Sequence, residues 1–138
     1  MEERRDSVRR LLGAVAWSLV GGSLLAGGAH ACELPPGVRV ESERLAVSFR
    51  TTPEKIAVGE PFTLDLAACP KGGALDLGRV RLDAHMPEHR HGMNYRTRVV
   101  RLGGGRFHSE GWLFHMPGRW EFVFELGPER LTHSVRIE

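Results

Sequence analysis

Residues 120–137 read WEFVFELGPERLTHSVRI. Trp120, Phe122, Phe124 and Leu126 alternate with Glu121, Val123 and Glu125. Gly127-Pro128 then breaks the pattern, and Leu131, His133, Val135 and Ile137 alternate with Thr132, Ser134 and Arg136. A period of two places one set of side chains on one face, which is the signature of a half-buried strand; a helix would repeat every 3.6 residues.

The same period recurs upstream. Leu45, Val47 and Phe49 alternate with Ala46 and Ser48; Phe62, Leu64 and Leu66 alternate with Thr63 and Asp65; Val80, Leu82 and Ala84 alternate with Arg81 and Asp83. Tyr95–Leu102 and Arg106–Phe114 are β-prone stretches joined by Gly103-Gly104-Gly105, an expected hairpin turn. Breakers fall at Pro53, Gly59-Glu60-Pro61, Pro70-Lys71-Gly72-Gly73, Pro87, Pro117-Gly118 and Gly127-Pro128. About seven short strands over roughly a hundred residues predict an all-β fold, a small immunoglobulin-like β-sandwich. Each strand hides one face, and only a second sheet can cover it. The sandwich is expected over residues 44–138, with residues 32–43 as an extended leader.

The N-terminus reads as an address. Residues 1–10 carry four Arg, residues 11–28 carry no charge, and Ala29-His30-Ala31 is a small-x-small triplet. These are the parts of a secretory signal peptide, helical in its apolar stretch, with cleavage after Ala31. An uncleaved anchor is the alternative, since eighteen uncharged residues approach the length that spans ~30 Å of hydrocarbon. Five of the eighteen are Gly, which lowers their hydrophobicity. Arg4-Arg5 and Arg9-Arg10 are twin arginines without the full flanking pattern of folded export. Cys32 follows the cut, but Ala29 and His30 do not make a lipidation motif. The expected location is therefore outside the cytoplasm, in the periplasm or cell envelope, with membrane contact only through residues 1–31 if they are retained.

Composition narrows the function. The 138 residues carry a formal charge of +2, and removal of residues 1–31, with four Arg and three acidic residues, leaves about +1. Lys and Arg are scattered, so no nucleic-acid footprint is present. The two cysteines of the processed chain, Cys32 and Cys69, permit one disulfide in an oxidising compartment, tying the N-terminus to an expected loop at Cys69-Pro70; soft metal ligation is the competing reading, but neither has a CxxC partner, so a disulfide or two idle thiols is expected. No P-loop, dinucleotide fingerprint or nucleophile elbow occurs, and no paired carboxylates stand out, so the chain does not read as an enzyme.

The His and Met residues do cluster. After Ala31 there are three Met and six His. All three Met and four of the His fall in His85-Met86-Pro87-Glu88-His89-Arg90-His91-Gly92-Met93 and in His115-Met116. Thioether sulfur is soft and imidazole is borderline; together they suit Cu(I), while imidazoles alone hold Cu(II). Outside the reducing cytosol, Met can replace readily oxidised Cys as a soft ligand. Zinc more typically takes His with Cys or carboxylate, and calcium wants clustered oxygens, of which these stretches offer only Glu88. The candidate metal ligands are thus His85, Met86, His89, His91, Met93, His115 and Met116. Both stretches close strands, so they meet if those strands end at one rim of the sandwich. Pro87 is expected to stiffen the loop, Gly92 to turn it, and His89 and His91, two apart, to point the same way. Met86 shares parity with Val80, Leu82 and Ala84, so a place in the core is its competing assignment. His133 is expected to be a partly buried strand residue and His108 a solvated one.

The run Val80–Leu126 resembles the YtkA-like domain, a small exported β-sandwich family related to the periplasmic part of FixH proteins. The matching features are MPEHRHGM at Met86–Met93, GRF at Gly105–Phe107, FHMPGRWE at Phe114–Glu121 and VGEPFTL at Val58–Leu64. The resemblance covers about eighty residues and implies copper handling or a part in cell-envelope assembly and efflux systems. Carried over by motif are Met86, His89, His91, Met93 and Met116. FixH-type relatives keep a membrane anchor and assist assembly of a copper-containing oxidase. The expected function is a copper carrier or accessory factor, whose partners would be a copper-dependent oxidase, a copper chaperone or an efflux component. Two alternatives stay open: a protein-interaction module without metal, and a membrane-anchored FixH-like assembly factor.

Overall fold

The computed structural model describes residues 32–138; the signal segment expected over residues 1–31 lies outside them. The described residues are all-β, with no helix, and form nine strands in two antiparallel sheets. The first sheet contains β1 (Val38–Glu41), β2 (Leu45–Thr52), β3 (Pro61–Pro70), β6 (Arg98–Gly103) and β7 (Arg106–Leu113), in the order β1-β2-β3-β7-β6. The second contains β4 (Val80–Met86), β5 (His91–Gly92), β8 (Gly118–Leu126) and β9 (Glu129–Ile137), in the order β5-β4-β8-β9. Seven of these strands have six residues or more: five match the stretches that alternation predicts, and β6 and β7 match the two β-prone stretches joined by Gly103–Gly105; β1 and β5 are short additions.

The core fills the space between the sheets. Leu45, Val47 and Phe49 from β2, Leu64 and Leu66 from β3, and Phe107 and Trp112 from β7 meet Leu82, Ala84 and Met86 from β4 and Trp120, Phe122, Phe124 and Leu126 from β8. Phe49 packs edge-on against Phe124 at 4.9 Å between ring centroids, and Trp112 reaches Phe122 at 5.4 Å. Each fully buried Leu or Phe contributes about 1.5–3 kcal/mol relative to exposure, so this double layer of aromatics dominates the fold's stability.

Three local expectations change. The leader contains β1, which pairs with β2 from Val38↔Phe49 to Glu41↔Ala46. Only Val40 of its four residues is partly buried, so an edge strand of this kind carries no alternating apolar signal. Cys69-Pro70 is not a loop but the last two residues of β3, and Cys69 is bonded to Cys32. Finally, β6 begins at Arg98 rather than Tyr95. The preceding residues cross over instead: the Thr97 hydroxyl donates to Leu82 O on β4, and Arg96 O lies 2.6 Å from where a Cβ on Gly111 would stand. Gly111 has a φ of +86°, so the close crossing needs glycine there twice over.

Antiparallel pairing fixes which ends coincide. Val80 faces Leu126 and His85 faces Glu121, so β4 ends where β8 begins. Pro61 faces Leu113, so β7 ends where β3 begins. The segments after β4 and after β7 therefore lie at one rim of the sandwich.

Candidate metal centre

The first half of the site is built by the end of β4 and a tight return. Alternation buries Met86 completely and turns His85 to the outer face, where its Nε2 lies 3.5 Å from Glu121 Oε1. The Met86 methyl fills the space above Gly118; a Cβ there would stand 2.7 Å from Met86 Cε. Pro87–Arg90 then reverses the chain, with His89 N donating to Met86 O at 3.2 Å. The left-handed residue of the turn is Arg90, φ 54°, not Gly92, which has already entered β5 opposite His85. The reversal sets His91 directly across from Met86. Facing residues of an antiparallel pair share a side of the sheet, so His91 points to the inner side, at the open rim. His89 stays exposed in the turn, its ring 5.8 Å from that of His91.

The second half is pinned by Trp120. Its indole is fully buried and stacks on Phe114 at 4.4 Å with 11° between planes. Its Nε1 donates to Met116 O at 3.0 Å, which fixes the short connection from β7 to β8. Phe114 O accepts from Gly59 N at 2.8 Å, tying the same connection to the loop before β3. His115 stands edge-on to Trp120 at 5.4 Å, and His91 approaches the same indole at 6.1 Å.

The two stretches meet. The rings of His91 and His115 lie 5.2 Å apart with 34° between planes. Met93 and Met116 are half-buried and pack against the core. His91 Nδ1 lies 3.0 Å from Gly92 O. A carbonyl only accepts, so Nδ1 is the donor in this contact, and Nε2 is the ring nitrogen that a metal could take in the neutral imidazole. His115 Nδ1 is buried without a hydrogen-bond partner, the one such side-chain nitrogen or oxygen among the described residues. Leaving a polar atom so costs about 1–3 kcal/mol. A soft or borderline cation at this point would satisfy it, so the donor set fits copper.

Of the remaining candidates, His89 lies in the turn beside His91, and the other two lie apart from the pair. His85 is on the opposite face of its sheet, and Met86 is sealed in the core. Among the described residues no three His, Cys, Asp or Glu side chains come together as a metal-holding group. His91 and His115 come as a facing pair, and the exposed His89 ring in the turn is the next imidazole, 5.8 Å from His91. His108, expected to be solvated, is held by Asp65 at 2.8 Å on the outer face of the first sheet. His133 is half-buried against Phe49 at 5.4 Å. The role of Trp120 was not readable beyond its place in an aromatic strand; its signal is that it stands three residues after Pro117, where the connection must be anchored. Replacing His85 with Ala is expected to change copper affinity less than about threefold, as a competition titration against a chelator would show.

No family model, curated protein or solved structure matches the chain.

Proposed function

We propose that the protein is an exported, YtkA-like β-sandwich that binds one copper ion between His91 and His115, with Met93 and Met116 as thioether donors. It acts as a carrier or accessory factor in copper handling rather than as an enzyme. The observation that carries this reading is the facing imidazole pair: one ring engages its Nδ1 with Gly92 O, and the other has a buried nitrogen with no partner. The rim position supports exchange of the ion with a partner, because His91, Met93, His115 and Met116 are only half-buried. The Cys32–Cys69 disulfide supports an oxidising location, where such bonds persist.

The test is copper retention by the purified protein in the presence of a competing chelator, beside the variant His91→Ala, Met93→Leu, Met116→Leu. Retention by the native protein and loss of at least about tenfold in affinity by the variant is expected. Equal affinity ends the proposal. Export predicts that the N-terminal sequence of the protein recovered from the envelope starts at Cys32; a start at Met1 favours the anchored, FixH-like reading instead. A metal-free docking role draws support from Tyr95, which is 56% exposed on the loop after Met93. That role predicts partner binding that survives both chelation and the triple substitution.

A further inference from the structure

We propose that the protein forms a two-fold dimer in which β9 pairs with β9 of a second copy, antiparallel and centred on Ser134.

The first argument is the state of the four sheet edges. An edge strand offers a row of N–H and C=O groups to another chain, and folds normally blunt it with shortness, bulges or charge. β1 has four residues and β5 two. β6 carries a register shift between Arg101 and Gly103, and the Arg101 guanidinium leaves the strand to donate to Gly78 O. β9 is neither short nor bulged. Its nine residues contain no Pro or Gly and pair one for one with β8, from Leu126↔Glu129 to Gly118↔Ile137.

The second argument is which backbone groups are free. The two-residue turn Gly127-Pro128, with Gly127 at φ 58°, joins β8 to β9. Such a turn makes its flanking pair, Leu126 and Glu129, a hydrogen-bonded one, and bonded pairs then alternate along the ladder. Glu129, Leu131, His133, Val135 and Ile137 therefore spend their backbone groups on β8. The groups of Arg130, Thr132, Ser134 and Arg136 point away from β8, and all four residues are exposed. The same count carried through β8 to β4 leaves Leu82 O outside the ladder, and that is the oxygen the Thr97 hydroxyl takes. Among the described residues no loop backbone bonds to the free groups of β9.

The third argument is charge, which selects a second copy as the occupant. Glu129 is already held by the Ser42 hydroxyl at 2.7 Å and by Arg44 at 3.5 Å, so free pairing starts at Arg130. A two-fold centred on Ser134 sets Arg130 opposite Glu138 of the second copy, Thr132 opposite Arg136, and Leu131 opposite Ile137. Both Arg130–Glu138 pairs form at once, because an isologous contact repeats every interaction. Arg130 donates one guanidinium nitrogen to Glu125 at 3.0 Å, and its fork has further N–H groups for Glu138. A centre one residue earlier, at His133, would set Arg130 against Arg136 at both ends. Like charges directly opposite are destabilising, so the charge pattern rejects that neighbouring register. The joined sheet carries β5, and with it His91, at the outer end of each half. The dimer is thus independent of the copper reading.

The experiment is analytical ultracentrifugation of the purified full chain over a concentration series, in low and in high salt. The expected result is a monomer–dimer equilibrium with a Kd below about 100 μM, weakened by salt because two ion pairs cross the interface. Ser134→Pro removes an N–H that β8 does not use, which an edge position tolerates. This variant is expected to keep the circular dichroism of the parent and to sediment as a monomer. Arg130→Glu is expected to weaken the dimer by about tenfold or more, and the swap Arg130→Glu, Glu138→Arg to return within about threefold of the parent. Recovery by the swap separates an interface contact from a damaged fold. Leu102→Lys on the β6 edge is expected to leave the equilibrium unchanged. A chain that stays monomeric through the whole series overturns the proposal, as does a dimer that survives Ser134→Pro or that the swap fails to restore. A dimer broken by Leu102→Lys puts the contact on β6 and overturns it as well.

Discussion

Replacing His91 and His115 together with Ala is expected to lower copper affinity by roughly 100-fold or more, an effect larger than that of any other pair in the cluster. Among the described residues these two imidazoles combine proximity, at 5.2 Å between rings, with packing against the same buried indole of Trp120. The stability of the metal-free protein responds in the opposite sense. His115 Nδ1 is a buried atom without a partner, and its present environment penalises the fold. A His115→Phe substitution keeps a planar ring against Trp120 and removes the unpaired nitrogen. Its metal-free form is expected to gain about 1 kcal/mol in stability while losing copper-induced stabilisation. Urea denaturation with and without copper reads both effects. A metal-free His115→Phe protein that is less stable than the parent would show that Nδ1 serves the fold and not a ligand.

The second large effect is on the fold. The Cys32–Cys69 bond closes a stretch of 37 residues that includes β1, β2 and most of β3. Closing a loop of that length in the unfolded chain is worth about 4 kcal/mol by the chain-entropy relation, out of the ~5–15 kcal/mol that single domains possess. Cys32→Ser, Cys69→Ser is therefore expected to lower the unfolding free energy by about 3–4 kcal/mol. Most of the core is untouched, because Cys69 lies at the end of β3 and β8 and β9 pair independently of it. Denaturant midpoints of the oxidised protein and the double variant test this. A difference below about 1 kcal/mol would show that the N-terminal segment is held by β1 pairing and by the Ser48 hydroxyl, which donates to Pro35 O at 2.6 Å.

Much of this architecture is legible in the residue pattern, and the exceptions have physical causes. Six of the seven long strands bury residues in the core, and their alternation is written in apolar residues such as Leu82 and Ala84 or Phe122 and Phe124; β6, an edge strand, is exposed at five of its six residues. β1 is an edge strand with three exposed residues out of four, and β5 has two residues; neither buries enough surface to leave a pattern. The meeting of the two His/Met stretches follows from strands that end at one rim, which alternation plus two chain reversals suggest. The sorting within the cluster was also partly legible. His85 shares parity with Arg81 and Asp83, the polar set of β4, and Met86 with the apolar set. What alternation does not reveal is the return at Pro87–Arg90. A left-handed Arg90, in place of the expected glycine, brings His91 opposite Met86 and so to the inner side. Nor does it reveal the indole of Trp120, whose bond to Met116 O sets where His115 stands.

Nitrogen-detected imidazole NMR on the protein during anaerobic Cu(I) titration tests most directly whether two segments hold one ion. His91 Nε2 and His115 Nδ1 are expected to shift together, with the Met93 and Met116 methyl signals, and to saturate at one equivalent. His85, His108 and His133 should stay in place. Shifts spread evenly over all the imidazoles, or confined to one of the two segments, would contradict it.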